Sequence, residues 1–227
     1  MRPVDKGTNG TPFKPYQTAL EPLAIKIGRY CSYCEMQVYN SLEVEHVVSI
    51  SKGGAEYEWQ NFLLSCKHCN GKSNKSDKVL ARSNYLWPDE DNTFLAFEYD
   101  EVHHVRPHSG LVAFYLPHAT STVELFGLDR FPGSKNPPTF GDKRYIKRNE
   151  VWGIAKESLL DWQRVPSSEM TKQIVRTALG HGFFSIWMTV FKDIAEIKLA
   201  LIEAFPGTAR NCFDHNGNPI ARLGGKI

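Results

Sequence analysis

The decisive stretch reads CSYC (31–34), LEVEHVVS (42–49), SKGG (51–54) and WQNFLLSCKHCNGKSNK (59–75). Two Cys-x-x-Cys pairs, Cys31/Cys34 and Cys66/Cys69, bracket a Glu45–His46 dipeptide and Asn61, and Asn70 follows the last cysteine. A Cys-x-x-Cys turn presents two thiolates to one ion, and two such turns complete the tetrahedral four-thiolate site that zinc favours. A redox role for one pair leaves the other unexplained. Four thiolates close the coordination shell, so this zinc is expected to be structural. The interval between the pairs exceeds the ~15–20 residues of a plain zinc ribbon. The excess has room for a strand, a glycine loop and a second strand.

Alternation of Leu42, Val44, His46 and Val48 with Glu43, Glu45 and Val47 predicts a strand. Lys52-Gly53-Gly54 predicts a loop, and Asn61–Ser65 a second short strand. From Cys66 the polar, lysine-bearing sequence predicts a helix carrying Asn70, Lys72 and Lys75. The order is strand, loop, strand, helix.

These residues suit phosphodiester hydrolysis, which needs an activated water and a cation on the developing charge. Histidine titrates near neutrality, so His46 is the candidate base. Magnesium takes oxygen ligands, few of them from protein, and Glu45 with the Asn70 side-chain oxygen meets that need. Glu45 faces away from His46 on a regular strand, so it reaches a shared metal only where the strand twists or ends. Lys72 and Lys75 are candidates for phosphate contacts. The structural alternative for His46 is a buried strand histidine, which the adjacent Glu45, the knuckles and both asparagines disfavour.

The segment resembles the HNH, or ββα-metal, endonucleases of the subclass with two Cys-x-x-Cys knuckles. The resemblance rests on Cys31/Cys34, Glu45-His46, Gly53-Gly54, Asn61 before Phe62-Leu63-Leu64, and Cys66/Cys69 followed by Asn70. It implies His46 as general base, Glu45 and Asn70 as ligands of one magnesium or manganese ion, and Asn61 as a brace for the loop behind the histidine. It also implies products with a 5′-phosphate and a 3′-hydroxyl. The chain departs from the family in carrying Glu45 where Asp is commoner and Asn70 where many members carry His. Glu-His, Trp-Gln-Asn-Phe-Leu-Leu-Ser-Cys and Cys-Asn-x-Lys-Ser are also similar to the HNH subunit of Septu-type and retron-associated anti-phage systems. That similarity implies a role in antiviral defence beside an ABC-type ATPase.

The 227-residue chain as a whole is 41% apolar, enough for a sizeable core without disulfides. A formal charge of +2 does not by itself point to nucleic acid, so local strips matter. One strip is Lys67, Lys72, Lys75, Lys78 and Arg82. A second is Lys135, Lys143, Arg144, Lys147 and Arg148. Such strips give salt-sensitive, sequence-independent affinity for phosphates unless they are merely solvated helix faces. Five cysteines in a chain of this length are not a secreted disulfide framework. No signal-peptide core and no membrane-spanning run is read, so a cytoplasmic setting is expected. Cys212 reads as a free thiol without a role, and His103, His104 and His108 as surface residues rather than a second metal site.

The expected fold class is α+β. Residues 1–20 are expected to form an extended arm, ordered on a partner or a floppy tail. A zinc-stapled ββα-metal module is expected over 21–82, a β-rich segment with a Pro/Gly connector over 83–142, and a helical part over 143–227. The expected function is a metal-dependent endonuclease acting on double-stranded DNA. The alternatives are a non-cleaving zinc-stapled nucleic-acid-binding module and a nuclease subunit silent until an ATPase partner acts.

Overall fold

The computed structural model describes residues 1–72, 74–102 and 104–227. Its first unit is a hairpin of β1 (Leu42–His46) and β2 (Phe62–Cys66), antiparallel from Leu42 opposite Cys66 to His46 opposite Phe62. Leu42 and Val44 are buried, and every residue of β2 is buried. A strand buried on both faces needs cover on both. A turn of 3-10 helix at Tyr16–Ala19 and α1 (Leu20–Ile27) supply it on one side. The helix after β2 is a single turn, α2 (Lys67–Asn70), and Gly71 leaves it in an extended conformation. Lys72 and Lys75 therefore lie beyond the helix expected to carry them.

Residues 83–142 correct the β-rich expectation. They hold one helical turn, α3 (Thr93–Ala96), two three-residue strands, β3 (Phe97–Tyr99) and β4 (Val105–Pro107), and a full helix, α4 (Leu116–Phe126). Thr122–Phe126, inside the segment expected to be β-rich, is the second half of α4. The β-branched residues that suggested a strand sit there at helical spacing. Ala119, Thr122, Val123 and Phe126 form one buried face. Pro117 stands in the first turn, where its missing N–H is harmless. Thr122 Oγ1 donates to His118 O at 2.8 Å, one turn back.

The C-terminal part is helical: α5 (Arg144–Arg164), α6 (Ser168–His181), α7 (Phe184–Val190) and α8 (Ala195–Ala204). Ser167 caps α6, its hydroxyl accepting from Met170 N at 3.2 Å. Gly182 turns the chain into α7 at φ +76°, where a Cβ would lie 2.5 Å from Glu35 O. That close approach lets Phe183 N donate to Glu35 O at 2.9 Å, locking the first cysteine knuckle onto the α6–α7 junction.

The arm is extended only as far as Pro15, since Tyr16–Ala19 is a 3-10 turn and Leu20 opens α1, and it is docked on the chain's own body. Val4 pairs with Thr208, and Arg2 donates to Ile27 O and Pro206 O, each at 2.6 Å. Lys6 Nζ runs under the hairpin to Phe62 O at 2.7 Å and Asp89 Oδ2 at 2.8 Å. Burial alone would raise the Asp89 carboxyl, but Lys6 and Arg82 outweigh it and hold the group below its ordinary range. No helix among the described residues is long and apolar enough to cross a membrane.

Lys6→Ala strips Asp89 of one of its two cations and frees the arm. It is expected to cost about 3–5 kcal/mol in urea unfolding. Because the Asp89 pKa is depressed, its stabilisation is present above about pH 4 and fades as pH falls through the folded value. The acid limb of the stability profile should therefore be shallower in Lys6→Ala than in wild type.

Candidate active site

Cys31 and Cys34 flank a tight turn closed by Glu35 N donating to Cys31 O at 2.9 Å. Glu35 takes φ +64° there. Ser32 N donates to Leu64 O at 2.8 Å, fastening this knuckle to β2. Cys66 ends β2 and Cys69 lies in α2. The four buried Sγ atoms lie within 4.8 Å of one another, with Cys34 and Cys66 at 3.7 Å. Tetrahedral Zn–S bonds of ~2.3 Å put sulfurs ~3.8 Å apart, so the donor set and its spacing fit zinc. Residues beyond the motif join this centre. Arg144, 2% exposed, donates from Nη1 to Cys69 Sγ at 3.2 Å and is clamped by Asp142 at 2.7 Å. Burial opposes the guanidinium charge, yet the Cys69 and Asp142 charges prevail and raise its pKa.

His46 closes β1 on the face shared with Phe62, 5.1 Å between rings, and Tyr16 meets it edge-on at 4.5 Å. Its Nε2 lies 2.9 Å from Glu56 O. A carbonyl only accepts, so Nε2 carries a hydrogen, and in the neutral ring the lone pair is then on Nδ1. Asn61 holds the loop that provides this carbonyl. Its Oδ1 accepts from Val48 N at 2.8 Å, and its Nδ2 donates to Val48 O and Ala55 O at 2.9 Å each. Gly54 lies against the same turn, where a Cβ would fall 2.1 Å from Val48 O.

Glu45 points the other way, into the interior. One carboxylate oxygen pairs with Lys75 Nζ and the other accepts from the Tyr33 hydroxyl. Glu45 and Lys75 are each 1% exposed, and Lys75 also donates to His46 O at 2.5 Å. Burial, then the Glu45 charge, push the Tyr33 phenol well above its ordinary pKa, so it remains a donor. Asn70 turns its amide to Glu43 Oε2 at 3.0 Å, not to Glu45. The pair expected to hold magnesium or manganese is therefore not assembled, and Glu45 with Asn70, as placed, does not fit a shared divalent ion.

The basic strips are thinner than their sequence. Lys67, Lys72 and Lys78 are exposed, while Lys75 is sealed inside, out of reach of a phosphate. Arg82 is ion-paired to Asp89 and Glu90. In the second strip Arg144 and Arg148 are buried, leaving Lys135, Lys143 and Lys147 at the surface. His104 pairs with Asp100 at 3.2 Å, and exposed His108 accepts from Gly110 N. His103 lies outside the described residues. The four cysteines are the one metal-competent cluster among the described residues. Burial pushes the Cys212 thiol up to about 11, consistent with an inert core cysteine. Sequence reasoning missed Tyr33, Arg144 and the inward course of Lys75. Lone residues outside a motif carry no spacing signal.

Residues 31–76 match the family model of HNH endonucleases. No curated protein matches the chain. The match spans both knuckles, the hairpin and the turn after α2.

Purified protein is expected to carry one zinc per chain by elemental analysis. Stripping it with a chelator should expose the Cys31, Cys34, Cys66 and Cys69 thiols to a thiol reagent and melt the hairpin. Asn61→Ala removes the brace of the 47–61 loop. It should cost about 1–3 kcal/mol in denaturant unfolding, the penalty of a buried polar group left unpaired, with zinc content unchanged.

Proposed function

We propose that the chain is an endonuclease that hydrolyses phosphodiester bonds of DNA, with His46 as the base. The observation that carries this reading is the His46 ring, whose Nε2 is engaged by Glu56 O, which in the neutral ring leaves Nδ1 as the acceptor. A base needs a lone pair held in one direction near the water it deprotonates. Glu56 O supplies the orientation, Asn61 holds the loop that carries Glu56, and Tyr16 and Phe62 restrict ring rotation. The proton of the attacking water passes to Nδ1 as the oxygen bonds to phosphorus, the P–O3′ bond breaks, and the leaving 3′-oxygen takes a proton from solvent. Lys67, Lys72 and Lys78, exposed on the stretch that follows β2, offer positive charge to a phosphate backbone. A divalent ion, when bound, lends charge stabilisation to the phosphoryl oxygens in such chemistry. No step here is assigned to it, because Glu45 and Asn70 do not converge.

The family match and the closed thiolate cluster support a nuclease unit. The anti-phage setting beside an ABC-type ATPase rests on the sequence resemblance, and co-purification with such an ATPase is its test. A second reading, a zinc-stapled module that binds DNA without cutting it, is favoured by one observation, the Glu45 carboxylate buried against Lys75.

Plasmid cleavage by wild type and His46→Ala, with magnesium, manganese or chelator, separates them. Loss of the base is expected to slow cleavage by about 10²–10⁴-fold. Equal rates would remove His46 from the mechanism. Salt-sensitive DNA binding with no cleavage under any metal, with or without the ATPase, would establish the binding module.

A further inference from the structure

We propose that the Lys75 ammonium is the resident cation of the HNH unit. In this chain Glu45 is then not a divalent-metal ligand but the counter-ion of Lys75, which acts as a positioning residue for His46.

Three observations converge. Lys75 Nζ lies between the Glu45 carboxylate and the His46 carbonyl, 2.5 Å from the latter. It therefore joins the acidic position to the backbone of the adjacent histidine. Both carboxylate oxygens are engaged, one in the ion pair with Lys75 and the other accepting from Tyr33. The pocket is also closed. Tyr33 is fully buried and stacks on Phe126 with ring centroids 3.7 Å apart. Magnesium keeps several of its waters and needs room for them. An ion reaching Glu45 would have to eject a buried ammonium and leave it unpaired, the costly way to break such a pair.

The placement of Lys75 follows from the second knuckle. Lys75 N donates to Cys69 O at 3.3 Å, and Asn74 Nδ2 donates to His68 O at 2.5 Å. Gly71 breaks the helix and the chain folds back along it, so the lysine enters from the α2 side. The zinc cluster thus fixes α2, α2 fixes the turn that carries Lys75, and Lys75 holds the carbonyl of His46. Asn70, the other expected ligand, lies with Glu43. The positioning role rests on the reading of His46 as base, whereas the assignment of Glu45 does not.

The test reads metal binding and ring geometry rather than cleavage, so it stands apart from the nuclease assay. Zinc-loaded full-length wild type, Glu45→Gln, Lys75→Met and the double variant are titrated with manganese and followed by electron paramagnetic resonance. Glu45→Gln should bind manganese within twofold of wild type. Lys75→Met should gain a site that the double variant lacks. A wild-type site weakened tenfold or more by Glu45→Gln would overturn the assignment. Should these variants fail to fold, magnesium titration of wild type decides, read on the Lys75 ammonium and the 45–46 amides by heteronuclear NMR. Unmoved signals support the proposal, and a saturating shift overturns it. For positioning, the ring-nitrogen shifts of His46 should lose their Nε2–H preference in Lys75→Met and regain it in Lys75→Arg, with zinc content unchanged. An unaltered ring in Lys75→Met would refute that role.

Discussion

Four thiolates meeting at one point hold together parts that have little stability of their own. The β1–β2 hairpin has five-residue strands, and an isolated two-stranded hairpin is marginal in water. The α2 turn is far below the length at which a helix persists unaided. Cys66 and Cys69 place both ends of this strand-to-helix corner on the cluster, and Cys31 and Cys34 bring a distant knuckle to it. Closing that long loop through one ion limits the unfolded chain as well as shaping the folded one. Glu45 and His46 on β1 inherit their fixed placement from this point.

The cluster in turn needs the rest of the chain. Four thiolates around one zinc leave an excess of about two negative charges, which is costly in a dry interior unless cations approach. Arg144 meets Cys69, is braced by Asp142, and donates further to Phe126 O and Gly127 O at the end of α4. Glu35, just after the first knuckle, accepts from the Ser185 hydroxyl at 2.6 Å and from its amide. The C-terminal helices are thus not an appendage. They supply the counter-charge and the wall behind both knuckles. Residues that read as a basic surface strip became core residues because a negative centre stood beside them.

What could be read from the chain divides along the same line. Fixed spacings were legible: the paired cysteines, the alternation of β1 and the apolar β2. Tertiary choices were not. Thr122–Phe126 has strand composition, but the helical face of Ala119, Thr122, Val123 and Phe126 had a core to fill, and propensity yielded to it. The arm at 1–6 looked too polar to pack, yet Arg2 and Lys6 bring their charges to carbonyls and to Asp89. Partners more than fifty residues away leave no local trace, and this hid Arg144 from the zinc site and Lys6 from Asp89.

The Glu45–His46 dipeptide shows how a motif can join what the backbone separates. Neighbours on a strand point to opposite faces. His46 looks toward Tyr16 and the Glu56 carbonyl, while Glu45 looks into a dry chamber with Tyr33 and Lys75. A shorter aspartate at position 45 would hold its carboxylate nearer the strand, whereas the extra methylene of glutamate carries it further inward. The two residues remain coupled through the backbone, since the cation on Glu45 also grips the His46 carbonyl. On the proposed reading, changes in the chamber reach the imidazole without touching it, and substrate would meet the face that His46 shares with Tyr16 and Phe62.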